Sequence, residues 1–410
     1  MPRAKKVQKK RPIEYSILYT ATLCLLAAGT VMVYSASSAE SLLTGPGDPA
    51  VYLKRYVAFG IIGLAVLHVT SRHGLKGIKA ATPLMLVASF VLTIAVMVPG
   101  IGVTVNGATR WLGAGPVQFQ PSELLKLSLV LYAAQLLAAR PRSTKTMSGL
   151  IKPLLLVVAG ACALLLKQPD MGTALVICFA IGMLLVAAGV PVRNLGLMAG
   201  TLVFLALIVA IAEPYRRERL TSFLDPFSDA GDTGFQAVQA LTAIGSGGFF
   251  GVGLGESVQK VFYLPEAHTD MILAVIGEEL GLFGIMGLVA LYGMIAYAGL
   301  RASKQARDLH SKLLAAGITS LILCQATLNF FAVLGMAPLT GVPLPFISYG
   351  STNLIVLLGG MGLLLAVAAD GKQVSAARQP LRAIQGGGDA EDRDRGRGHG
   401  GTRRAGARGR

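Results

Sequence analysis

A short polar segment that leads directly into a long apolar stretch contains side chains of the kinds that transfer protons. The segment YLPEAHTDMILAVIGEELG contains Glu266, His268 and Asp270 in its polar half. Two further acids, Glu278 and Glu279, follow about two helical turns later. Carboxylates and imidazoles are common general acids and bases. A carboxylate at the mouth of a membrane helix is costly, so its presence there indicates a functional site.

The remainder of the chain predicts the membrane helices that must hold this segment in place. Of the 410 residues, 53% are hydrophobic and only 14% are charged, and the mean hydropathy is +0.62. These values are typical of polytopic membrane proteins, in which a helix needs about 20 apolar residues to cross the hydrocarbon core. Stretches of this kind lie at residues 13–36, 52–70, 81–99, 120–139, 151–168, 171–190, 195–213, 270–299, 312–336 and 350–369. We therefore predict an all-α membrane protein with about ten transmembrane helices, or about nine if the short fifth and sixth spans are one.

The basic residues predict how these helices are oriented. The formal net charge is +16, and the Lys and Arg residues cluster in the first eleven positions, at 71–79, at 140–145, at 301–312 and in the tail. With the predicted spans, all of these segments fall on one side, which the positive-inside rule makes the cytoplasm. Both termini are then cytoplasmic, and one large extracytoplasmic loop, at about 214–269, joins spans 7 and 8. No base-reading module accompanies the charge, so it does not indicate a nucleic-acid partner.

The two ends of the chain differ from the membrane core in composition. Residues 1–12 are a basic cytoplasmic segment, and the apolar stretch after them is long enough for a retained first helix rather than a cleaved signal peptide. Residues 371–410 are dominated by glycine and charged residues, so they cannot bury enough apolar surface to fold. We expect a disordered basic tail whose arginines are attracted to anionic lipids of the inner leaflet.

Four non-cytoplasmic segments carry polar residues that a lipid-facing helix would not tolerate. The first, NGATRWLGAGPVQFQPSELLK, contains Arg110 beside the only tryptophan, Trp111, and both residue types also serve as interfacial anchors. Pro121 suits the first turn of a helix. Glu123 and Lys126 follow at i and i+3 and so share one face. They could form a structural ion pair or part of a site, and the spacing favours neither.

The second and third segments contain an aspartate at a helix start, an arginine cluster and a glycine run. Asp170, in KQPD, precedes a helix, where a carboxylate also acts as a simple cap. Arg216, with its neighbours in PYRRERL, lies in an outer loop and needs a partner or a substrate. Downstream, GFQAVQALTAIGSGG predicts a short amphipathic helix at the membrane interface. Gly247 and Gly248 belong to the glycine run, which could bind phosphate through backbone N–H groups or be a flexible loop.

The fourth segment, PLTGVPLPFISYGSTN, breaks any helix before the last span with its prolines and glycines. Non-helical backbone at this depth is tolerated only inside protein or along a cavity. Ser348, Tyr349, Ser351 and Asn353 are then candidate donors and acceptors for a bound ligand. The alternative is that Ser351 simply caps the last helix.

In these four segments the chain resembles the SEDS (shape, elongation, division and sporulation) family of membrane peptidoglycan polymerases. The likeness covers about residues 15–370, and it implies one transmembrane polymerase domain at 13–370. The shared motifs are NGATRW, FQPSELLK, KQPDMGTAL, AIGSGGFFGVGLGES, LPEAHTD and PFISYGS. The stretch GESVQKVFYLPEAHTD is more similar to division-type members than to elongation-type members.

The resemblance implies glycosyl transfer on lipid II, a disaccharide-pentapeptide attached to undecaprenyl pyrophosphate. The growing glycan on its lipid carrier is the donor, and the 4-hydroxyl of the lipid II sugar is the acceptor. The change from an α-linked pyrophosphate to a β-1,4 link implies inversion, with one base and no covalent intermediate. Positive charge from Arg110, Lys126 and Arg216 would stabilise the leaving group. The sequence assigns no cofactor and leaves open whether a divalent cation (Mg²⁺ or Mn²⁺) assists.

The resemblance also assigns roles to residues. It maps the catalytic base onto Asp270 and places Glu123 and Lys126 in the same cavity. His268 is expected to shape the loop around the base. The remaining substrate-binding candidates are Arg110, Asp170, Arg216, Gly247, Gly248, His268, Ser348, Tyr349, Ser351 and Asn353.

Three competing functions and several partners accompany this interpretation. A lipid II flippase would also need a polar cavity between helices, but transporters more often place their acids at the midplane. An elongation-type polymerase is the second competing function, and a purely structural division scaffold is the third. By analogy, we expect a class B penicillin-binding protein and other division components as partners, in the bacterial inner membrane at the division septum.

Overall fold

The computed structural model describes most of the chain. The described residues are 12–43, 47–105, 107–114, 117–141, 146–150, 154–212, 217, 221–232, 234–261 and 263–377. Residues 1–11 and 378–410, which hold most of the predicted basic N-terminus and tail, lie outside the described residues, and so does Arg216.

Eleven α-helices and one three-stranded sheet lie in the described part of the chain. The helices are α1 (Ile13–Leu43), α2 (Val51–Ala95), α3 (Pro121–Ala139), α4 (Met147–Leu150), α5 (Leu156–Lys167), α6 (Met171–Ala187), α7 (Val192–Ala212), α8 (Phe235–Gly247), α9 (Ile272–Lys304), α10 (Leu309–Val333) and α11 (Ser351–Ala377). The strands are β1 (Gly102–Val105), β2 (Ala108–Ala114) and β3 (Val117–Phe119).

The helices coincide with the predicted membrane spans. The helical stretches long and apolar enough to cross a membrane are Ile13–Leu43, Val51–Leu75, Gly77–Ala95, Pro121–Ala139, Ile272–Lys304, Leu309–Val333 and Ser351–Gly371. Three shorter apolar helices, Leu156–Lys167, Met171–Ala187 and Val192–Leu205, lie at the fifth, sixth and seventh predicted spans. The short helix predicted after span 7 is present as α8. A mostly helical polytopic membrane protein is therefore confirmed, while the number of crossings stays a prediction.

The prediction that the protein is all-α is wrong between α2 and α3. Strands β1, β2 and β3 form an antiparallel sheet in that order. The sequence Asn106-Gly107 joins β1 to β2, and Gly107 has a φ of 74°, which a tight hairpin turn requires. The Asn-Gly pair was a usable hairpin signal. The strands themselves gave little signal, because stretches of 3 to 7 residues are too short for alternation to be recognised.

Helix α2 contains two of the candidate spans, and its contacts show that they run in opposite directions. Tyr52, in its first turn, packs against His268, and Thr93, near its last turn, binds the KQPD turn through its carbonyl oxygen. These two contacts lie at the same end of the bundle, because His268 and the residue pair after the KQPD turn both lie against the segment 340–349. Lys79, in the middle of α2, instead pairs with Asp308 at the start of α10, at 3.7 Å. The chain therefore reverses between the two halves of α2.

Helix α9 is interrupted at Gly281, and the glycine run at residues 245–255 supplies hydrogen bonds to the carbonyl groups that the interruption leaves free. Gly281 has φ 64° and ψ −160°, so the carbonyl groups before it lose their helical partners. Val252 N donates to Glu278 O at 2.9 Å, and Gly253 N donates to Glu279 O at 3.1 Å. The run that sequence analysis offered as a phosphate cradle is thus fixed against α9 by backbone hydrogen bonds.

Candidate active site

Four helix starts meet at one end of the bundle, which we call the site end, and they bring the four predicted polar segments together. Ser351 Oγ, in the first turn of α11, donates to a carbonyl of β3 just before α3, at 3.0 Å. Gly172, in the first turn of α6, is so close to Thr340 that an added Cβ would lie 2.4 Å from the Thr340 carbonyl oxygen. A Cβ added to Gly341 would lie 3.7 Å from Asp270 Oδ2, just before α9.

Asp270 is held at the site end by its backbone and by its side chain. It precedes the first residue of α9, Ile272, and it is partly buried. Asn329 Nδ2 donates to Asp270 O at 2.7 Å, and Thr269 Oγ1 donates to Asp270 Oδ1 at 3.2 Å. Thr269 Oγ1 also contacts Glu266 Oε2, at 2.8 Å. The carboxylate is therefore oriented, and its partial exposure keeps it accessible to a hydroxyl group.

The ion pair predicted in the first turn of α3 is formed and buried. Lys126 Nζ lies 2.9 Å from Glu123 Oε2, and the two side chains are 2% and 1% exposed. Pro121 occupies the first helical position, where its missing N–H has no cost. Burying both charges carries a desolvation cost that stability alone does not explain. Lys126 Nζ also donates to Gln325 Oε1 at 2.9 Å, which ties the pair to α10.

Two amide side chains on α10 connect the ion pair to Asp270. Gln325 accepts from Lys126 and donates through Nε2 to Pro343 O, in the loop before α11, at 2.9 Å. Asn329, four residues later on the same helix face, donates to Asp270 and to the same loop. The resulting connected set, which we call the site network, consists of Glu123, Lys126, Asp270, Gln325 and Asn329.

The loop at residues 338–350, between α10 and α11, is non-helical and largely buried, as predicted. It is tolerated there because helices around it bind its carbonyl oxygens. Tyr292 Oη, on α9, donates to Pro345 O at 2.6 Å. Tyr56 Oη, on α2, donates to Phe346 O at 2.5 Å. The 338–350 loop is thus fixed by several helices at once.

The four polar residues predicted from this loop have different surroundings. Ser348 Oγ accepts from Leu344 N at 2.8 Å and closes the loop on itself. Ser351 ties α11 to β3 and not to its own helix start. Asn353 is buried, and its Oδ1 has no hydrogen-bond partner in the part of the chain that the structure describes. Tyr349 belongs to an aromatic cluster. Of these residues, Asn353 retains an unused acceptor.

His268 is part of the aromatic cluster, together with Tyr52 and Tyr349. Its ring centroid lies 4.4 Å from that of Tyr52 and 5.7 Å from that of Tyr349. Its carbonyl oxygen accepts from Tyr349 N at 3.0 Å. Burial lowers the pKa of His268, and the Glu40 and Glu266 carboxylates oppose that shift. A neutral, packed imidazole agrees with the interpretation that His268 shapes the loop.

Arg110 and Asp170 hold the KQPD turn in shape. Arg110 Nε donates to Gln168 O at 3.1 Å, and its Nη2 donates to Pro169 O. Asp170 Oδ1 accepts from Thr173 N at 3.2 Å, so Asp170 caps α6, as the simpler interpretation of the motif predicts. Asp170 Oδ2 is buried, with no hydrogen-bond partner among the described residues. Contact of either residue with substrate stays a prediction.

Gly247 and Gly248 lie beside α9 between Gly277 and Leu282, about two to three helical turns beyond Asp270. A Cβ added to Gly247 would lie 2.0 Å from Gly277 O. Gly248 has a φ of 52°, and its carbonyl oxygen accepts from Leu282 N at 2.9 Å. Close packing and backbone conformation account for both glycines. A phosphate-binding role for them stays a prediction that this geometry does not support.

Comparison with known proteins places this arrangement in a family. The sequence model of the FtsW/RodA/SpoVE family, described as a cell cycle protein, matches residues 16–373. The chain belongs to this family. "Probable peptidoglycan glycosyltransferase FtsW" of Thioalkalivibrio sulfidiphilus is 44% identical over 85% of this chain and 88% of its own length. Stage V sporulation protein E of Bacillus subtilis is 36% identical over 86% of this chain and 96% of its own length.

Solved structures of FtsW/RodA/SpoVE relatives share the fold. A chain from a peptidoglycan synthase complex, studied for the structural coordination of polymerization and crosslinking, superposes with a TM-score of 0.71. It is 32% identical, and the match covers 87% of this chain and 98% of that chain. The rod shape determining protein RodA of Thermus thermophilus superposes with a TM-score of 0.63 at 29% identity, over 86% of this chain and 96% of that chain.

Sequence analysis of this FtsW/RodA/SpoVE chain missed the residues that join the site together. Gln325 and Asn329 are two amides four residues apart within an apolar span. Intramembrane polar residues indicate function by default, so the signal was present. Lys260 was also missed, although it is buried and lies 2.7 Å from Glu279. A lysine in a polar glycine-containing loop gives no sequence signal of burial.

Proposed function

We propose that this chain is a peptidoglycan glycosyltransferase that polymerises lipid II into glycan strands during septal cell-wall synthesis. Relatives 44% and 40% identical bear the name "Probable peptidoglycan glycosyltransferase FtsW", which supports both the reaction and the division role. The structural observation that carries the proposal is the site network. In it, a partly exposed Asp270 is joined to the buried Glu123–Lys126 pair at one end of a membrane bundle.

In the proposed reaction, Asp270 is the general base. Its carboxylate takes the proton from the 4-hydroxyl of lipid II while the hydroxyl oxygen bonds to the anomeric carbon of the growing glycan. The bond from that carbon to undecaprenyl pyrophosphate breaks, and the pyrophosphate leaves with the electron pair. Attack from the opposite face inverts the configuration without a covalent intermediate. Help from a general base contributes about 10²–10⁴-fold to such a step.

Unused donors at the site end suit the charge that develops on the pyrophosphate. Of the donors on the Lys126 ammonium group, one is directed to Glu123 and one to Gln325, and the ammonium group has a further N–H. Arg110 directs two of its guanidinium donors to the KQPD turn and also has others. These remaining N–H groups can bind phosphate oxygens where negative charge increases. Arg216, the third predicted cation, lies outside the described residues.

The proposed orientation places the site end outside the cytoplasm. Lys79, Arg301 and Lys304 lie at the opposite end, where Lys79 pairs with Asp308 and α9 ends. By the positive-inside rule that end is cytoplasmic. With ten spans both termini are also cytoplasmic, and we expect the protein in the inner membrane at the division septum.

The proposed partners follow from the reaction. Lipid II and the nascent glycan on undecaprenyl pyrophosphate are the substrates. A structural relative belongs to a peptidoglycan synthase complex that coordinates polymerization and crosslinking, which supports a class B penicillin-binding protein as partner. A requirement for Mg²⁺ or Mn²⁺ stays a prediction. Among the described residues, no group of three or more His, Cys, Asp or Glu side chains could hold a metal ion.

A polymerisation assay tests this function. Purified protein is mixed with fluorescent lipid II, and the glycan products are separated by length. We expect Asp270→Asn to stop product formation. Asp308→Asn is the matched control, because Asp308 also lies at a helix start but at the opposite end. Polymerisation by Asp270→Asn at the wild-type rate would contradict the proposal.

Three further tests separate the competing functions. A flippase predicts that labelled lipid II crosses proteoliposome membranes, and that Asp270→Asn abolishes this translocation. An elongation-type role predicts round cells on depletion, whereas the division role predicts filaments. A structural scaffold predicts that apolar replacements of Glu123, Lys126 and Asp270 leave polymerisation unchanged.

A further inference from the structure

We infer that Asn329 is a positioning residue that holds Asp270 in register with the 338–350 loop. This inference rests on the proposed function, since it concerns the base of that reaction. Asn329 Nδ2 donates both to Asp270 O, at 2.7 Å, and to Val342 O, at 2.8 Å. The two acceptors are both carbonyl oxygens, so they fix which way round the amide group lies.

The position of Asn329 in the fold makes this double contact rigid. Its side chain is buried, with 2% exposure, near the C-terminal end of α10, which ends at Val333. Gln325, one turn earlier, binds the adjacent loop carbonyl, Pro343 O, at 2.9 Å. The pair of amides therefore fixes two consecutive loop carbonyls to one face of α10.

The contact matters because the loop faces the reactive carboxylate. Gly341 directly precedes Val342, and its α-carbon lies so close to Asp270 that an added Cβ would be 3.7 Å from Asp270 Oδ2. One side chain thus holds the backbone of Asp270 and the loop opposite its carboxylate. A general base must lie within about 2.6–3.2 Å of the oxygen whose proton it takes. A displacement of about 1 Å can slow a reaction by about 100-fold.

Variants of two tyrosines can distinguish positioning of Asp270 from simple anchoring of the loop. Tyr292 and Tyr56 bind the carbonyl oxygens of Pro345 and Phe346 in the same loop. Among the described hydrogen bonds, neither reaches Asp270, whereas that of Asn329 does. Tyr292→Phe and Tyr56→Phe each remove one loop hydrogen bond, and so they are matched controls for Asn329 variants.

The test is steady-state lipid II polymerisation by purified wild-type protein, Asn329→Leu, Asn329→Thr and the two tyrosine variants. For Asn329→Leu we expect kcat to fall by about 100-fold, with KM for lipid II changed by less than about threefold. Asn329→Thr retains a hydroxyl donor, and we expect a fall in kcat of about tenfold. Both tyrosine variants should keep kcat within about threefold of wild type, although their thermal unfolding midpoints drop.

Specific outcomes would overturn the inference. If Asn329→Leu does not fold, Asn329→Thr against Tyr292→Phe decides, because each variant removes one hydrogen bond and only the Asn329 variant alters the group that binds Asp270. Equal kcat values in those two variants, or an effect confined to KM, would assign Asn329 to loop stability or substrate binding instead. Failure of the proposed function is distinguishable, since Asp270→Asn would then remain active whatever Asn329 does.

Discussion

Two buried ion pairs of similar geometry lie in the described part of the chain, and they differ in whether the lysine has an N–H group left for another partner. Lys126 and Glu123 are 2.9 Å apart in the site network, and Lys260 and Glu279 are 2.7 Å apart beside the interruption in α9. All four side chains are at most 5% exposed. We call the second set the glycine-segment network, and it consists of Ser35, Ser257, Lys260, Glu278 and Glu279.

In the glycine-segment network, the lysine has no unused donor. Lys260 Nζ donates to Glu279 at 2.7 Å, to Ser35 Oγ at 3.1 Å and to Gly255 O at 2.7 Å, which uses every N–H of the ammonium group. Ser35 Oγ lies 2.6 Å and 2.8 Å from the two oxygens of Glu279. Glu278 in turn accepts from Ser257 Oγ at 2.5 Å. Lys260 therefore has no N–H left for a further partner.

The site network retains an unused hydrogen-bond donor. Lys126 directs one donor to Glu123 and one to Gln325, so an N–H remains. Asp270 is partly exposed, and the nearby Asp170 Oδ2 is buried without a hydrogen-bond partner among the described residues. Unsatisfied polar atoms in a buried region call for an explanation, and the proposed function predicts that substrate contacts this one. Burial and charge are thus shared by the two networks, and an N–H left over on Lys126 but not on Lys260 distinguishes the proposed catalytic network.

The largest expected effect comes from removing the site lysine without leaving a buried charge. The double variant Lys126→Met with Glu123→Gln should lower lipid II polymerisation per folded molecule by at least about 100-fold, because a donor to the pyrophosphate is lost. Its thermal unfolding midpoint should exceed that of Lys126→Met alone, since the single variant leaves Glu123 uncompensated. Wild-type activity in the double variant would show that the Glu123–Lys126 pair has only a structural role.

The corresponding change in the glycine-segment network should affect stability and not chemistry. Lys260→Met leaves Glu279 buried without its partner, so unfolding free energy should fall by about 3–5 kcal/mol. Adding Glu279→Gln should recover part of that loss. Polymerisation per folded molecule should stay within about threefold of wild type. A much larger loss of rate in the stable double variant would erase the distinction between the networks.

The glycine run offers a smaller and cleaner comparison within one helix. A Cβ at Gly247 would lie 2.0 Å from Gly277 O, whereas a Cβ at Gly245 would meet nothing within 4 Å. Gly247→Ala should therefore destabilise the protein by about 1–3 kcal/mol through overpacking. Gly245→Ala should be neutral or stabilise by about 0.5–1 kcal/mol, because alanine favours helix. Thermal unfolding of the two variants checks this, and equal midpoints would count against close packing.

The smallest expected effect is a pH dependence at the site end. Burial lowers the pKa of His268 in the folded state, opposed by Glu40 and Glu266. Below the unfolded pKa, the unfolded chain therefore binds a proton that the folded chain resists, so folding stability should fall as the solution is acidified. His268→Phe keeps a ring beside Tyr52 and Tyr349 and should weaken this dependence. Unfolding midpoints of both proteins at pH 5 and pH 7.5 provide the comparison.

Much of the fold followed from local sequence because membrane helices need long apolar runs. The predicted spans lie on the observed helices, and the i, i+3 spacing of Glu123 and Lys126 placed them on one face, where they pair. The contacts of Gln325 and Asn329 could not be read in this way. They depend on which helix face meets the 338–350 loop, which is a property of packing.

Other features could not be predicted from the sequence because they depend on tertiary packing. Lys260 is buried beside Glu279, on the part of α9 against which residues 247–253 dock at the interruption. The glycines of that run suggested phosphate binding, while in the structure Gly247 and Gly251 closely approach the carbonyl oxygens of Gly277 and Glu279. Sequence patterns reveal which residues are unusual in a membrane, and packing decides which of them are saturated.

The most direct test of Asp270 as the catalytic base separates binding from chemistry. Lipid II affinity and the single-turnover rate of glycan extension are measured for wild type and Asp270→Asn in the same detergent. We predict that affinity changes by less than about threefold while the rate falls by at least about 100-fold. A variant that binds lipid II and extends the glycan at the wild-type rate would contradict the assignment.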